Sequence, residues 1–405
     1  RIKHWGKRRI ERELKFKGLS PFTIKKALQT LEKEDYEGSF HSLFDKKLDS
    51  FSASINGNAT IDINSGGEMR VKQDLSNNIT ITGGGNTSSV TNKGAIINTG
   101  GNNTYSGLIT LDGNATIAAS SNNMTFNVSS GNSFTGTGDL TFDTASNTIT
   151  VSDPIANTGG LIKEDSGTLV LAGTNSYTGS TTVSGGTLNL TGSLPNTTAL
   201  TVASGALFDT SNDETVGSIA GAGTIDIQHK TQLTVGGDNT STTFSGVIRS
   251  DSGSGTGGIT KQGTGTLTLS GTNTFSGAVN VSAGTVAVTA NNALGDTTNN
   301  TTISSGATLD LQNVNYSSTE TVRSSGTIST STGTSTLAGS VVLNGNSIVD
   351  VDGTQLTLSP TQPMECITIW SKLSHTLHGF DFKSGLHHFV NSNQNHLVYI
   401  AFEAQ

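Results

Sequence analysis

Histidine, cysteine and carboxylate side chains are the groups in this sequence that could do chemistry, and their spacing decides which chemistry is open to them. His375, His378, His387 and His388 fall near the single cysteine, Cys366, and His and Cys are the usual ligands of zinc. The run His375-x-x-His378 followed by His387-His388 matches no familiar finger or catalytic helix, and there is no second cysteine to complete a set. No metal site is assigned on this spacing and no cofactor is expected.

Nucleophilic catalysis has less support. Between Phe51 and Pro360 the one histidine is His229, so a Ser-His-acid triad would have to be built around that residue. None of the many serines sits in a Gly-x-Ser-x-Gly elbow between a strand and a helix. Asp209, Asp213 and Glu214 are the carboxylates closest to a cluster, and a glycosidase would need two of them facing one bond. Their surroundings read as turns, where such side chains commonly accept backbone hydrogen bonds. The glycine runs Gly83-Gly-Gly85 and Gly253-Ser-Gly-Thr-Gly-Gly258 lack the Lys-Ser/Thr ending of a phosphate loop. No catalytic residue is assigned.

The elements that would have to position these groups are visible in the composition. The 405 residues include 50 Gly, with 13% charged and 5% aromatic residues. A compact α/β enzyme of that length needs more large apolar side chains to fill its core. A solenoid needs fewer, because each coil buries only a thin strip against its neighbours. Short alternating segments recur at turn-separated intervals: Thr60-Ile-Asp-Ile63, Thr168-Leu-Val-Leu171, Thr187-Leu-Asn-Leu190, Thr266-Leu-Thr-Leu269 and Thr308-Leu-Asp-Leu311. In each, alternate residues point inward and Thr, Asn or Asp points outward.

Internal repetition separates stacked coils from a sandwich. Gly159 to Leu190 aligns without a gap to Gly257 to Val288, with about half the positions identical. The shared positions include Lys163/Lys261, Gly167/Gly265, Gly173/Gly271, Asn175/Asn273 and Gly179/Gly277, with Tyr177 opposite Phe275. These twelve residues are assigned a structural role in the repeat, the glycines as positive-φ corners between strands and the aromatics packed at a corner. Weaker copies extend the pattern over about residues 101–360.

This block, Gly-Gly-x-x-Lys-x-x-x-Gly-Thr-Leu-x-Leu-x-Gly-Thr-Asn-x-aromatic-Ser/Thr-Gly, resembles the autotransporter-associated β-strand repeat of passenger domains. The resemblance implies a mainly β fold, a right-handed parallel β-helix, secreted through the outer membrane to the cell surface. It further implies a non-enzymatic adhesive or surface-coat role, with glycans or proteins of a host or neighbouring cell as partners. An outer-membrane translocator barrel is expected as a further partner, and residues 361–405 do not supply one: they read as an irregular His-rich tail. A carbohydrate-active β-helix enzyme is the alternative from another class.

The first fifty residues carry 13 of the 23 Lys and Arg of a chain whose net charge is −8, so the remainder is clearly acidic and unsuited to nucleic acid. Residues 1–49 read as a short α-helical segment: Ile10 and Leu14 share a stripe that Gly18 ends, and Ser20-Pro21 opens a second helix. Trp5-Gly6 through Leu19, followed by Ile24-Lys-Lys-Ala27-Leu28, resembles one helical repeat of the RecX recombinase regulators, whose partner is the RecA filament. Lys7, Arg8, Arg9, Arg12 and Lys15 would form a basic contact face there, or simply a solvated helix surface. The sequence starts at Arg1 without Met, which reads as a truncated start, and no apolar run approaches the length of a membrane helix.

Overall fold

The computed structural model describes residues 61–63, 67–83, 94–228, 231–250, 257–296, 300–316, 320–344 and 347–360, together with the backbone of Thr368–Ser371, His387–Asn391 and His396–Ile400. The expected helical segment 1–49 with its basic face, His229, and Cys366 with His375 and His378 lie outside the described residues. Among the described residues there are strands and turns and no helix.

The chain from Ile61 onward winds as a parallel β-solenoid of about 13 turns. Three ladders of short strands run along it, and successive strands of the chain visit them in rotation. The first ladder climbs from Met69–Val71 through Leu140–Asp143, Leu161–Glu164, Thr181–Val183, Ala199–Val202 and Ser218–Gly221. It crosses to Thr242–Phe244 through the single register pair Gly221 and Phe244, then continues through Thr266–Leu269, Thr285–Val288, Thr308–Leu311 and Thr327–Thr330 to Ile348–Val351. The second runs from Asn103–Tyr105 to Val247–Ser250 and resumes at Asn315–Tyr316. The third runs from Ile61–Ile63 to Ile155–Asn157 and resumes at Glu214–Val216.

Each interruption is bridged by one of the repeat's Gly-Thr-Asn segments. On the third ladder Ser176 N–H donates to Ile155 O at 2.9 Å, and Thr174 bridges to Ser193. On the second ladder Thr274 N–H donates to Ile248 O at 2.9 Å, and Asn273 N–H to Asn292 O at 3.2 Å. Coil-to-coil hydrogen bonding is thus kept where regular pairing lapses.

Strand alternation builds the core. In Thr168–Leu171, Thr187–Leu190, Thr266–Leu269 and Thr308–Leu311 the leucines at the second and fourth positions are buried and the threonine at the first is half-buried. Register stacks like on like: Ile149, Leu169, Leu188, Phe208, Ile225 and Ile248 form one inward column. Burying each such side chain stabilises the fold by about 1.5–3 kcal/mol, so a thin core repeated along an axis suffices. Lower in the stack an aromatic cluster fills the interior, with Tyr105 and Phe126 stacked at 4.9 Å and Phe134 edge-on to Phe142 at 5.6 Å.

Part of the segment expected to be irregular joins this architecture. Thr368–Ser371 and His387–Asn391 extend the first ladder in parallel, and His396–Ile400 closes it antiparallel.

Candidate functional site: the interior of the repeat

Register places Lys163 in an inward column between Phe142 and Val183, and Lys261 in the matching position between Val235 and Val281. An ammonium in such a column must find acceptors at the end of its apolar stem. Lys163 Nζ donates to the carbonyls of Glu164 and Asp165 at 2.8 Å and of Gly185, in the next coil, at 3.0 Å. Lys261 Nζ repeats the arrangement with Gln262 O at 2.7 Å, Gly263 O at 3.0 Å and Ala283 O at 3.3 Å. Each lysine therefore ties its own corner to the corner above. Burial pushes the Lys163 ammonium down to about 8, while Asp165, Asp143 and Glu164 pull it back up. Lys261 is shifted downward by burial in the same sense.

The asparagines work across coils. Asn175 Oδ1 accepts the N–H of Ile155 from the coil below at 3.0 Å, and its Nδ2 donates to Ser193 O of the coil above at 2.8 Å. Asn273 does the same with Ile248 N at 2.8 Å below and Ala293 O at 2.5 Å above. Their side chains thus supply the hydrogen bonds of a strand at the interruptions noted above.

The aromatic position is buried in both copies. Tyr177 needs a partner for its hydroxyl and finds Thr181 Oγ1 at 2.5 Å; Thr181 is linked to Thr198 Oγ1 at 3.0 Å, which donates to Gly179 O at 2.9 Å. Phe275, opposite Val279 rather than a threonine, carries no such group. Tyr177→Phe is therefore expected to fit sterically yet cost about 1–2 kcal/mol, because it leaves Thr181 short of a buried partner. A shift in the guanidinium midpoint at unchanged slope measures this; an unchanged midpoint would show the hydroxyl chain to be idle.

The glycines require a correction. Positive φ occurs elsewhere in the repeat, at Gly186 and Gly284 and at the aligned pair Asp165 and Gly263. Gly167, Gly173, Gly179, Gly265, Gly271 and Gly277 are not in that region. Instead a Cβ at each would overlap backbone of the preceding coil: Asn147 at Gly167, Asp153 at Gly173, Gly160 at Gly179, Thr240 at Gly265, Gly246 at Gly271 and Gly257 at Gly277. They are glycine because the coils touch there.

The two copies do not occupy the same ladders. The first places its successive segments on the first, second, third, first and second ladders; the second begins on the third and follows with the first, second, third and first. Identical motifs therefore face different directions. The buried residues they share (Lys, Gly, Asn, aromatic) tie coil to coil whichever ladder they stand on.

Asp209, Asp213 and Glu214 do not converge, whereas Asp143, Glu164 and Asp165 lie together about Lys163. Asp213 Oδ1 accepts Gln232 N–H at 2.8 Å, a bond to the next coil in place of the local turn bond expected of it. Asp209 and Asp226 occupy adjacent positions on the outer face of the second ladder, but Gln228 Nε2 donates to Asp209 and Arg249 Nε to Asp226, each at 2.8 Å. Glu214 departs from expectation: it is a buried strand residue, with Leu194 N–H donating to its Oε1 at 3.0 Å. Among the described residues no three His, Cys, Asp or Glu side chains converge as metal ligands would.

The outer faces carry threonine in register: Thr148, Thr168 and Thr187 on the second ladder, and Thr266, Thr285, Thr308 and Thr327 on the first. Val247 is the one exposed large hydrophobic among the described residues.

No curated protein and no solved structure matches this chain. Residues 1–28 match the second three-helix domain of RecX. Residues 161–190 and 259–288, the two blocks whose lysines, glycines and asparagines tie coil to coil, each match the passenger-associated-transport repeat, and the parallel solenoid around them is consistent with an autotransporter passenger.

Proposed function

We propose that this chain is part of an exported passenger whose right-handed solenoid is displayed at the cell surface beyond the outer membrane, where it adheres without catalysis. The two transport-repeat matches, built into the coil stack as internal ties, are the observation that carries this reading. Export of this kind calls for an outer-membrane translocator barrel as partner. The outer faces support a polar ligand: threonine ladders in register, and no exposed apolar patch among the described residues. Strand spacing sets such hydroxyls about 4.8 Å apart along the axis. Glycans or proteins on a host or neighbouring cell suit that surface, held by many weak contacts summed through avidity.

Protease added to intact producing cells should digest the solenoid if it is displayed outside, and leave it intact if it is retained within. Adhesion is tested with Thr266, Thr285, Thr308 and Thr327 all changed to valine. Stability should stay within about 0.5 kcal/mol per site, since valine suits the outer face of a strand. Binding to glycan-coated surfaces should fall by roughly 100-fold. Unaltered binding would move adhesion off this ladder.

The match of residues 1–28 favours a second reading for that segment alone, a recombinase-binding role. It predicts that the full chain sediments with RecA filaments, and failure to do so removes it.

A further inference from the structure

Two carboxylic side chains lie sealed inside the coils with half their hydrogen-bonding capacity unmet. Glu214 is 3% exposed and Glu320 is 2% exposed. Glu214 Oε1 takes the Leu194 N–H at 3.0 Å, and Glu320 Oε1 takes the hydroxyl of Thr301. In both, Oε2 is buried and has no partner. Neither has a cation opposite it: Leu233 stands over Glu214 in register, and Thr301 lies below Glu320. The titratable groups that face them are hydroxyls, Tyr177 toward Glu214 and Tyr316 toward Glu320. The Tyr316 hydroxyl donates to Glu320 and the Thr215 N–H to Glu214, and these offset the burial only in part. The charged residues nearest them in sequence, Asp213 and Arg323, are exposed to solvent. A carboxylate enclosed in this way, short of donors and of countercharge, is far less stable than its neutral acid.

We propose that the solenoid is acid-locked: Glu214 and Glu320 keep their protons while the coils are closed and give them up when the coils part, so mildly acidic media tighten the stack and neutral media loosen it. Burial pushes both carboxyls from 4.5 up to about 7. The sign follows from proton counting. Between those two values the folded chain binds more protons than the unfolded one, so stability is greatest below the unfolded value and declines until the folded value is passed. Asp143, raised by burial and by its neighbours Asp165 and Glu164, adds a smaller contribution of the same sign. Lys163 titrates near 8, at the alkaline edge of the window, and acts in the opposite sense above it.

The test is proton release on guanidinium unfolding of the full chain at pH 6, with folding stability followed from pH 4.5 to 7.5. Roughly one proton should leave per buried glutamate, and the folding constant should fall by on the order of 100-fold for each across that range. In E214Q/E320Q the release should drop to the remnant from Asp143, and the pH slope should flatten. Unfolding without proton release, or a double variant with the slope of the parent chain, overturns the proposal. Should the double variant not fold, infrared spectroscopy of the parent decides. A protonated-carboxyl band in the native protein at pH 6 that vanishes on unfolding supports the lock, and its absence refutes it.

Discussion

Gly271→Ala is expected to destabilise the upper coils by about 3–5 kcal/mol, although a single methyl group is all it adds. That methyl would lie only 1.8 Å from the Gly246 carbonyl oxygen, with the rest of the Gly246 and Ser245 backbone close behind. A flexible side chain could swing aside, but here the obstacle is main chain held in the coil below, and relief means lifting one coil off another. Gly205 is the control. It has φ +82° with nothing within 4 Å of the point a methyl would occupy, so Gly205→Ala costs only the strain of a left-handed conformation, about 1–2 kcal/mol. If positive φ were the reason for glycine in the repeat, Gly205→Ala would be the worse of the two. Guanidinium midpoints of the two variants, measured side by side, separate the explanations.

Lys163→Met removes an interior charge and should still cost about 2–4 kcal/mol. Methionine keeps much of the apolar stem between Phe142 and Val183, so packing changes little. What disappears is the donor set that reaches Glu164 O, Asp165 O and Gly185 O, and with it a tie between successive corners. In a solenoid the damage should stay local. Amide exchange should quicken across the coils containing Leu161–Glu164 and Thr181–Val183 while Thr266–Leu269 keeps its protection. The alkaline limb gives a second reading. With the ammonium near 8 in the folded chain and 10.5 unfolded, the parent gains stability as pH rises between those values, and the methionine variant loses that gain. Equal alkaline profiles would mean that Lys163 is solvated in the native state.

Much of the fold is legible in the chain itself because its logic is local. Thr168-Leu-Val-Leu171 alternates, and alternation in a chain with so little bulk points to stacked thin coils; the strand falls where the pattern places it. Lys163 and Lys261 stand out by repetition, yet not their inward direction, since a charged side chain normally argues for the outer face and only the carbonyls of the next coil make the interior tolerable. Glu214 looks like a turn residue beside Asp213, although Glu214-Thr-Val216 also alternates as a strand with Glu214 on the side of Val216. The six contact glycines could not be told from corner glycines, because their constraint comes from residues roughly a coil away in sequence.

The turning of one copy relative to the other has a genetic consequence. Lys163 and Lys261 are 98 positions apart, a span of four full coils and two further sides. Repeated blocks allow unequal crossover, and an exchange between the two would excise those 98 positions without disturbing the motif at the seam. The shortened protein would still stack, since the same block already stands on different ladders in the parent. Everything downstream would be rotated by one ladder, bringing a different outer face into line with the lower coils. Recombination within such a gene therefore alters which surfaces are presented together, without substituting any of the outward residues that remain.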